Sequence, residues 1–98
     1  MDKEAILKAL ANPVRRNILH WLKDPEQHFA QQYHAFDAGV CAGQIDHKVG
    51  LSQSTVSNHL SILQKAELIR CQKVGQWNFY ERNEQTIQQF LLALQQEL

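Results

Sequence analysis

The chain has 98 residues, 44% hydrophobic and 20% charged, with a net charge of zero. One globular domain is expected, and a disordered chain, a basic coat and a two-domain protein are excluded. No apolar run approaches the ~20 residues of a membrane span, the opening Met1-Asp2-Lys3-Glu4 lacks the apolar core of a signal peptide, and Cys41 and Cys71 make neither a disulfide scaffold nor a zinc finger, so a soluble cytoplasmic protein is expected.

The charge is laid out unevenly: net +3 over residues 1–23, −4 over 24–47, +3 over 48–82 and −2 over 83–98. One polyanion-binding face is therefore open to the chain. No internal repeat is visible, and the glutamines are scattered rather than gathered in a tract.

Residues 3–11 read as a helix, with Ile6, Leu7 and Leu10 on one side. Asn12-Pro13 ends it and starts another, because Asn caps well and Pro suits the first helical position. This second helix runs to Lys23 with Val14, Ile18, Trp21 and Leu22 on its apolar side, and Asp24-Pro25 stops it. Residues 24–39 mix Phe29, Tyr33 and Phe36 with polar groups and read as a long ordered loop with room for a helical turn. His28, Tyr33, His34 and Asp37 in that loop match no standard ligand spacing and are read as surface groups.

Ala42, Ile45 and Val49 mark a short third helix, and Gly50-Leu51 makes a tight turn. Ser52 then caps a fourth helix over residues 53–66. Val56, Leu60, Leu63 and Ala66 form one stripe of it, and Ser54, Ser57, Asn58, Ser61 and Lys65 form the opposite one. At Leu68 the period changes. Residues 68–73 and 76–82 have strand composition and make a hairpin around Val74-Gly75, in which Trp77, Phe79 and Tyr80 are expected to pack. Asn83 caps a last helix, residues 84–97, with Ile87, Phe90, Leu91, Leu94 and Leu98 on one face. The fold class is mainly α with a β-hairpin wing, in the order helix, helix, helix–turn–helix, hairpin, helix.

The exposed side of helix 53–66 carries little charge. Its Gln53, Ser54, Thr55, Ser57, Asn58 and His59 both donate and accept hydrogen bonds, as the base edges of a major groove require. A purely structural helix would carry Glu, Lys and Ala there, since Ser, Thr and Asn are mediocre helix formers. Ser52 at the helix start joins this set. Lys48, Lys65, Arg70 and Lys73 flank the helix and sit on the hairpin, where they would meet phosphates. His59 lies between the two stripes and would either donate to a phosphate or pack at the helix edge. No nucleophile elbow, phosphate loop or acid–base pair is present, so no enzyme is expected.

Residues 51–63, LSQSTVSNHLSIL, resemble the recognition helix of ArsR-type winged-helix repressors, and ALANPVRRNILHWL (9–22) resembles that family's second-helix signature. LIRCQKVGQWNFYER resembles its wing. The resemblance covers nearly the whole chain outside 24–38. It implies a homodimeric repressor of double-stranded DNA, released by a signal, with residues 1–98 forming a single domain. Gln53, Ser54, Ser57, Asn58 and His59 are its carried-over DNA positions. The terminal helices, through Ile6, Leu7, Leu10, Ile87, Phe90, Leu91 and Leu94, are expected to form the dimer, so that a charge at Phe90 would break it.

The family's metal sites are where the chain departs. The place of its thiolate box reads Cys41-Ala42-Gly43-Gln44, with Gly43 and Gln44 where the second thiol and the carboxylate would be. Soft metals need two or three thiolates. Helix 84–97 has neither His nor Asp for the family's other site. Neither a metal nor a cofactor is expected, which leaves a small molecule or oxidation as the effector. Cys41 and Cys71 are read either as buried small hydrophobes, with Cys71 facing the core, or as a thiol switch. A winged-helix module that binds protein instead of DNA is the rival from another class.

Overall fold

The structure is a computed structural model, and it describes residues 1–30 and 36–98. Helix α1 (Lys3–Leu10) starts at Asp2, whose carboxylate accepts from the Ala5 N–H at 3.1 Å. Helix α2 (Pro13–Lys23) starts at Asn12, whose Oδ1 accepts from Val14 N and Arg15 N. These caps satisfy amide donors that a helix start leaves without partners. The short connection turns α1 back on α2, and Ile6, Ala9, Ile18, Leu19 and Leu22 go into the core.

The stretch expected as a long loop has structure at both its ends. Helix α3 (Pro25–His28) follows directly on Asp24, and Phe29 behind it is buried against the core. A 3₁₀ turn (Phe36–Ala38) leads into a two-residue strand, β1 (Val40–Cys41). Tyr33 and His34 lie outside the described residues. Nothing in the sequence announces this strand, because two residues show no alternation. Its place is fixed by Gly39, at φ +105°, where a Cβ would sit 2.7 Å from the Tyr80 carbonyl oxygen.

Helix α4 (Ala42–Val49) ends at Gly50 in the left-handed conformation, and helix α5 (Gln53–Lys65) begins three residues later at the Ser52 cap. The end of α5 carries no glycine signal. Glu67 takes the left-handed position (φ 62°), with Leu68 N donating to Leu63 O and Glu67 N to Gln64 O. This is a Schellman closure, with the buried Leu63 and Leu68 on its apolar side.

Strands β2 (Ile69–Val74) and β3 (Trp77–Arg82) pair antiparallel from Ile69↔Arg82 to Val74↔Trp77, and β1 pairs with the other side of β3. The hairpin loop is therefore Gly75-Gln76, one residue later than expected. Gly75 supplies its positive φ of 62°, which suits a two-residue loop. Helix α6 (Glu84–Glu97) starts at Asn83, and Lys3 of α1 pairs with Glu97 at its far end.

Two expected interface residues belong to the core of the single chain. Ile6 is 0% and Phe90 4% exposed, both packed in the central cluster, while Leu10, Ile87 and Leu94 lean partly against it. The open apolar surface of the terminal helices belongs to Leu7 and Leu91, both among the expected interface residues, and to Leu92, which is not. A charge at Phe90 would thus disturb folding before it tested assembly.

Gly39→Ala is expected to lower unfolding stability by at least ~1–3 kcal/mol, from a strained φ and a clash with the Tyr80 backbone that cannot yield. Urea unfolding of the two proteins measures it.

Candidate DNA interface

The turn and the cap between α4 and α5 set the geometry of the site. Gly50 N donates to Asp46 O, closing α4. Ser52 Oγ accepts from Thr55 N at 3.2 Å and donates to Thr55 Oγ1 at 2.7 Å, and Ser54 Oγ lies 3.4 Å away. These hydroxyls hold the helix start together, so Ser52 and Thr55 are first of all capping groups. Beyond them Gln53, Ser54, Ser57, Asn58 and Lys65 are exposed, while Val56, Leu60 and Leu63 are buried. Ser61 and His59 stand at the border between the two faces.

The basic residues divide. Lys73 is exposed near the wing tip, beside Val74 and Trp77 that are nearly half exposed. Trp77 thus stands out from the wing rather than packing in the core, whereas Phe79 is buried. Lys48 on α4 is exposed and places its Nζ 5.4 Å from the centre of the Trp21 ring, which itself meets Phe29 edge-on. Arg70 lies at the foot of the wing, where Nη2 donates to Asn83 Oδ1 at 2.9 Å. Arg70 therefore steadies the α6 cap while its side chain stays at the exposed surface.

The structure adds two residues that sequence reasoning does not single out, Arg15 and Arg16. Arg15 Nε donates to Ala9 O at 2.7 Å and Nη2 to Lys8 O, while Arg16 Nη1 donates to Leu10 O at 2.6 Å. Both arginines stand in the first turn of α2, where a cation opposes the helix dipole. That misplacement was the available signal, and the explanation is that their charge belongs to the last carbonyls of α1. Arg15 also reaches α5, with Nη1 3.1 Å from His59 Nδ1. Burial, and then the Arg15 charge, hold the His59 pKa below its ordinary 6.5.

The cysteines are separated by the sheet itself. Cys41 pairs across from Phe79 on one side of β3, and Cys71 from Tyr80 on the other. Neighbouring positions on a strand point to opposite faces. Two inter-strand spacings put the pair at roughly 10 Å, beyond the Cα separation of a disulfide. Both thiols are half-buried, so Cys71 does not reach full burial in the core. It hydrogen-bonds Tyr80, whose pKa is pushed up to about 12 by burial first and then by Cys71 and Asp46. The thiol switch built on this pair is thereby disfavoured. Among the described residues no three His, Cys, Asp or Glu side chains gather as a metal site would need.

A short helix, a left-handed glycine turn, a capped helix with a polar outer face and an antiparallel hairpin packed beside it define a winged helix–turn–helix. Residues 38–70 match the model of the bacterial regulatory protein arsR family. The chain is 41% identical, over 89% of both lengths, to the HTH-type transcriptional regulator YbzH of Bacillus subtilis. It is 31% identical to the transcriptional repressor SdpR of the same organism, over 85% of this chain and 78% of that one. HlyU from Vibrio cholerae superposes with a TM-score of 0.63 at 30% identity, over 90% of this chain and 84% of that one. The chain belongs to the ArsR family, and it is a DNA-binding transcriptional regulator. These relationships also disfavour the protein-binding module. No helix among the described residues is long and apolar enough to cross a membrane.

His59 gives the site a pH dependence with a defined sign. A folded-state pKa below 6.5 means that the unfolded chain binds the proton more readily. The stabilisation is complete above about pH 6.5 and is lost as pH falls towards the folded-state value. Between pH 7 and 5.5 the unfolding midpoint of the wild type is expected to fall more steeply than that of His59→Gln, as followed by urea titration at each pH.

Proposed function

We propose that the protein is a homodimeric repressor that inserts α5 of each subunit into successive major grooves of an imperfect palindrome and is released by a signal. The observation that carries this reading is the outer face of α5. Gln53, Ser54, Ser57 and Asn58 are exposed there without charge, on a helix whose other side is firmly buried. Gln and Asn can bind adenine with two hydrogen bonds, and small Ser side chains allow close approach. Lys48, Lys65 and Lys73 supply phosphate contacts around it, and the exposed wing tip follows the backbone. Repression is supported by the likeness to SdpR, which is named a repressor.

Dimerisation is supported by the need for specificity and by the open leucines. One recognition helix covers only a few base pairs, too few to mark one place in a genome. Two helices about 34 Å apart read half-sites whose centres lie ~10–11 bp apart or one further turn away. Leu91 and Leu92 on α6 are more than half exposed, and Leu7 on α1 is 39% exposed. Apolar groups so placed on the two terminal helices are suited to a second copy of the chain. An enzyme role has no support, since the relatives are regulators. Action in the cytoplasm fits a regulator that must meet DNA.

Selection of bound duplexes from a random pool tests the operator, and recovery of sequences without two-fold symmetry would overturn the palindrome. Replacing Ser57 and Asn58 by Ala is expected to weaken operator binding by ~1–3 kcal/mol for each base whose hydrogen bonds are removed, with the salt dependence unchanged. Unchanged affinity in a mobility-shift titration would remove α5 from the interface. Leu91→Glu is expected to give a folded monomer with weak specific binding, because an unpaired charge in a covered interface is strongly unfavourable. Sedimentation decides this, and a dimeric, fully DNA-competent Leu91→Glu protein would place the interface elsewhere.

A further inference from the structure

Arg15 donates to three acceptors on two other helices. Two are the Lys8 and Ala9 carbonyls at the end of α1, and the third is His59 Nδ1 on α5. A guanidinium has donors and no acceptor. The Nδ1 facing it must therefore hold a lone pair, and the neutral ring must carry its proton on Nε2. Arg15 is the charged group acting on that ring among the described residues, and it further disfavours the imidazolium. No protein partner for Nε2 is seen among the described residues, and the ring stands at the border of the polar face of α5.

We propose that Arg15, although outside the helix–turn–helix, is a positioning residue for DNA reading. By donating to Nδ1 it locks His59 as the neutral Nε2–H tautomer. The ring becomes a fixed single donor, aimed at an acceptor oxygen or nitrogen of the DNA. His59 then combines both expected roles, held at the helix edge on one side and donating on the other. The assignment rests on the reading of α5 as the DNA-contacting helix. Arg16 provides the internal comparison. Its guanidinium caps the neighbouring carbonyl of α1, Leu10 O, rather than a group on α5. A role limited to ending α1 would make the two arginines equivalent.

The test is nitrogen-15 NMR of the His59 ring in the DNA-free, full-length protein, joined to a double-mutant cycle on DNA. In the wild type above neutral pH, Nδ1 is expected unprotonated and Nε2 protonated, with no second tautomer. In Arg15→Gln the ring is expected to exchange between tautomers and to protonate at a higher pH, whereas in Arg16→Gln it behaves as in the wild type. On the operator, Arg15→Gln should weaken binding roughly tenfold, the effect of one oriented hydrogen bond, and should add little once His59 is Ala. A protonated Nδ1 in the wild type, equal ring behaviour in the two arginine variants, or additive losses in the cycle would overturn the proposal. The wild-type spectrum needs no variant, so it decides the tautomer even if Arg15→Gln fails to fold. A locked tautomer in a protein whose DNA binding ignores Ser57→Ala and Asn58→Ala would overturn the reading of α5 instead.

Discussion

Val56, Leu60 and Leu63 are buried along one stripe of α5, and α1, α2, α4 and β2 all pack against that helix. Burying such side chains contributes roughly 1.5–3 kcal/mol each, so rotation of α5 about its axis is strongly resisted. An α-helix advances ~100° per residue, and the buried stripe therefore decides which side chains face out. Ser54, Ser57 and Asn58 are presented because the leucines opposite them have nowhere else to go. A helix with a looser grip could carry the same polar residues without aiming them.

Helix ends determine how the surrounding elements meet this helix. Asn12 begins α2 within two residues of the end of α1, and the Arg15 and Arg16 side chains return to the open carbonyls of α1. One tight corner thus satisfies donors and acceptors from both helices. At the other end of the molecule, the Arg82 guanidinium grips Glu84 with two hydrogen bonds and donates a third to Leu19 O. The foot of the wing is thereby held to α2 and to the start of α6. At the wing tip, Val74 and Trp77 are left nearly half exposed.

The three-stranded sheet has a second consequence. Placing β3 between β1 and β2 puts one strand between Cys41 and Cys71 and turns their side chains to opposite faces. Sequence separation alone leaves a redox pair open, and the register closes it. The thiol of Cys71 is instead engaged with the Tyr80 hydroxyl, its neighbour across the β2–β3 ladder.

Every main helix was legible in the residues, because each has a local signature. Asp2, Asn12, Ser52 and Asn83 cap, Pro13 opens, Gly50 closes, and the apolar spacing follows 3.6 residues. The polar outer face of α5 was legible for the same reason. What the sequence could not settle are features that depend on distant partners. The strand β1 is two residues long and exists through β3; the end of α5 places Glu67 where a glycine would have announced it. Ile87, Phe90, Leu91 and Leu94 follow one helical pattern, yet the fold buries Phe90 and leaves Leu91 open. Periodicity reports which face of a helix is apolar, but only packing decides how much of that face one chain can cover. Likewise Arg15 and His59 stand 44 positions apart, and their hydrogen bond exists because α2 packs against α5 in the folded chain.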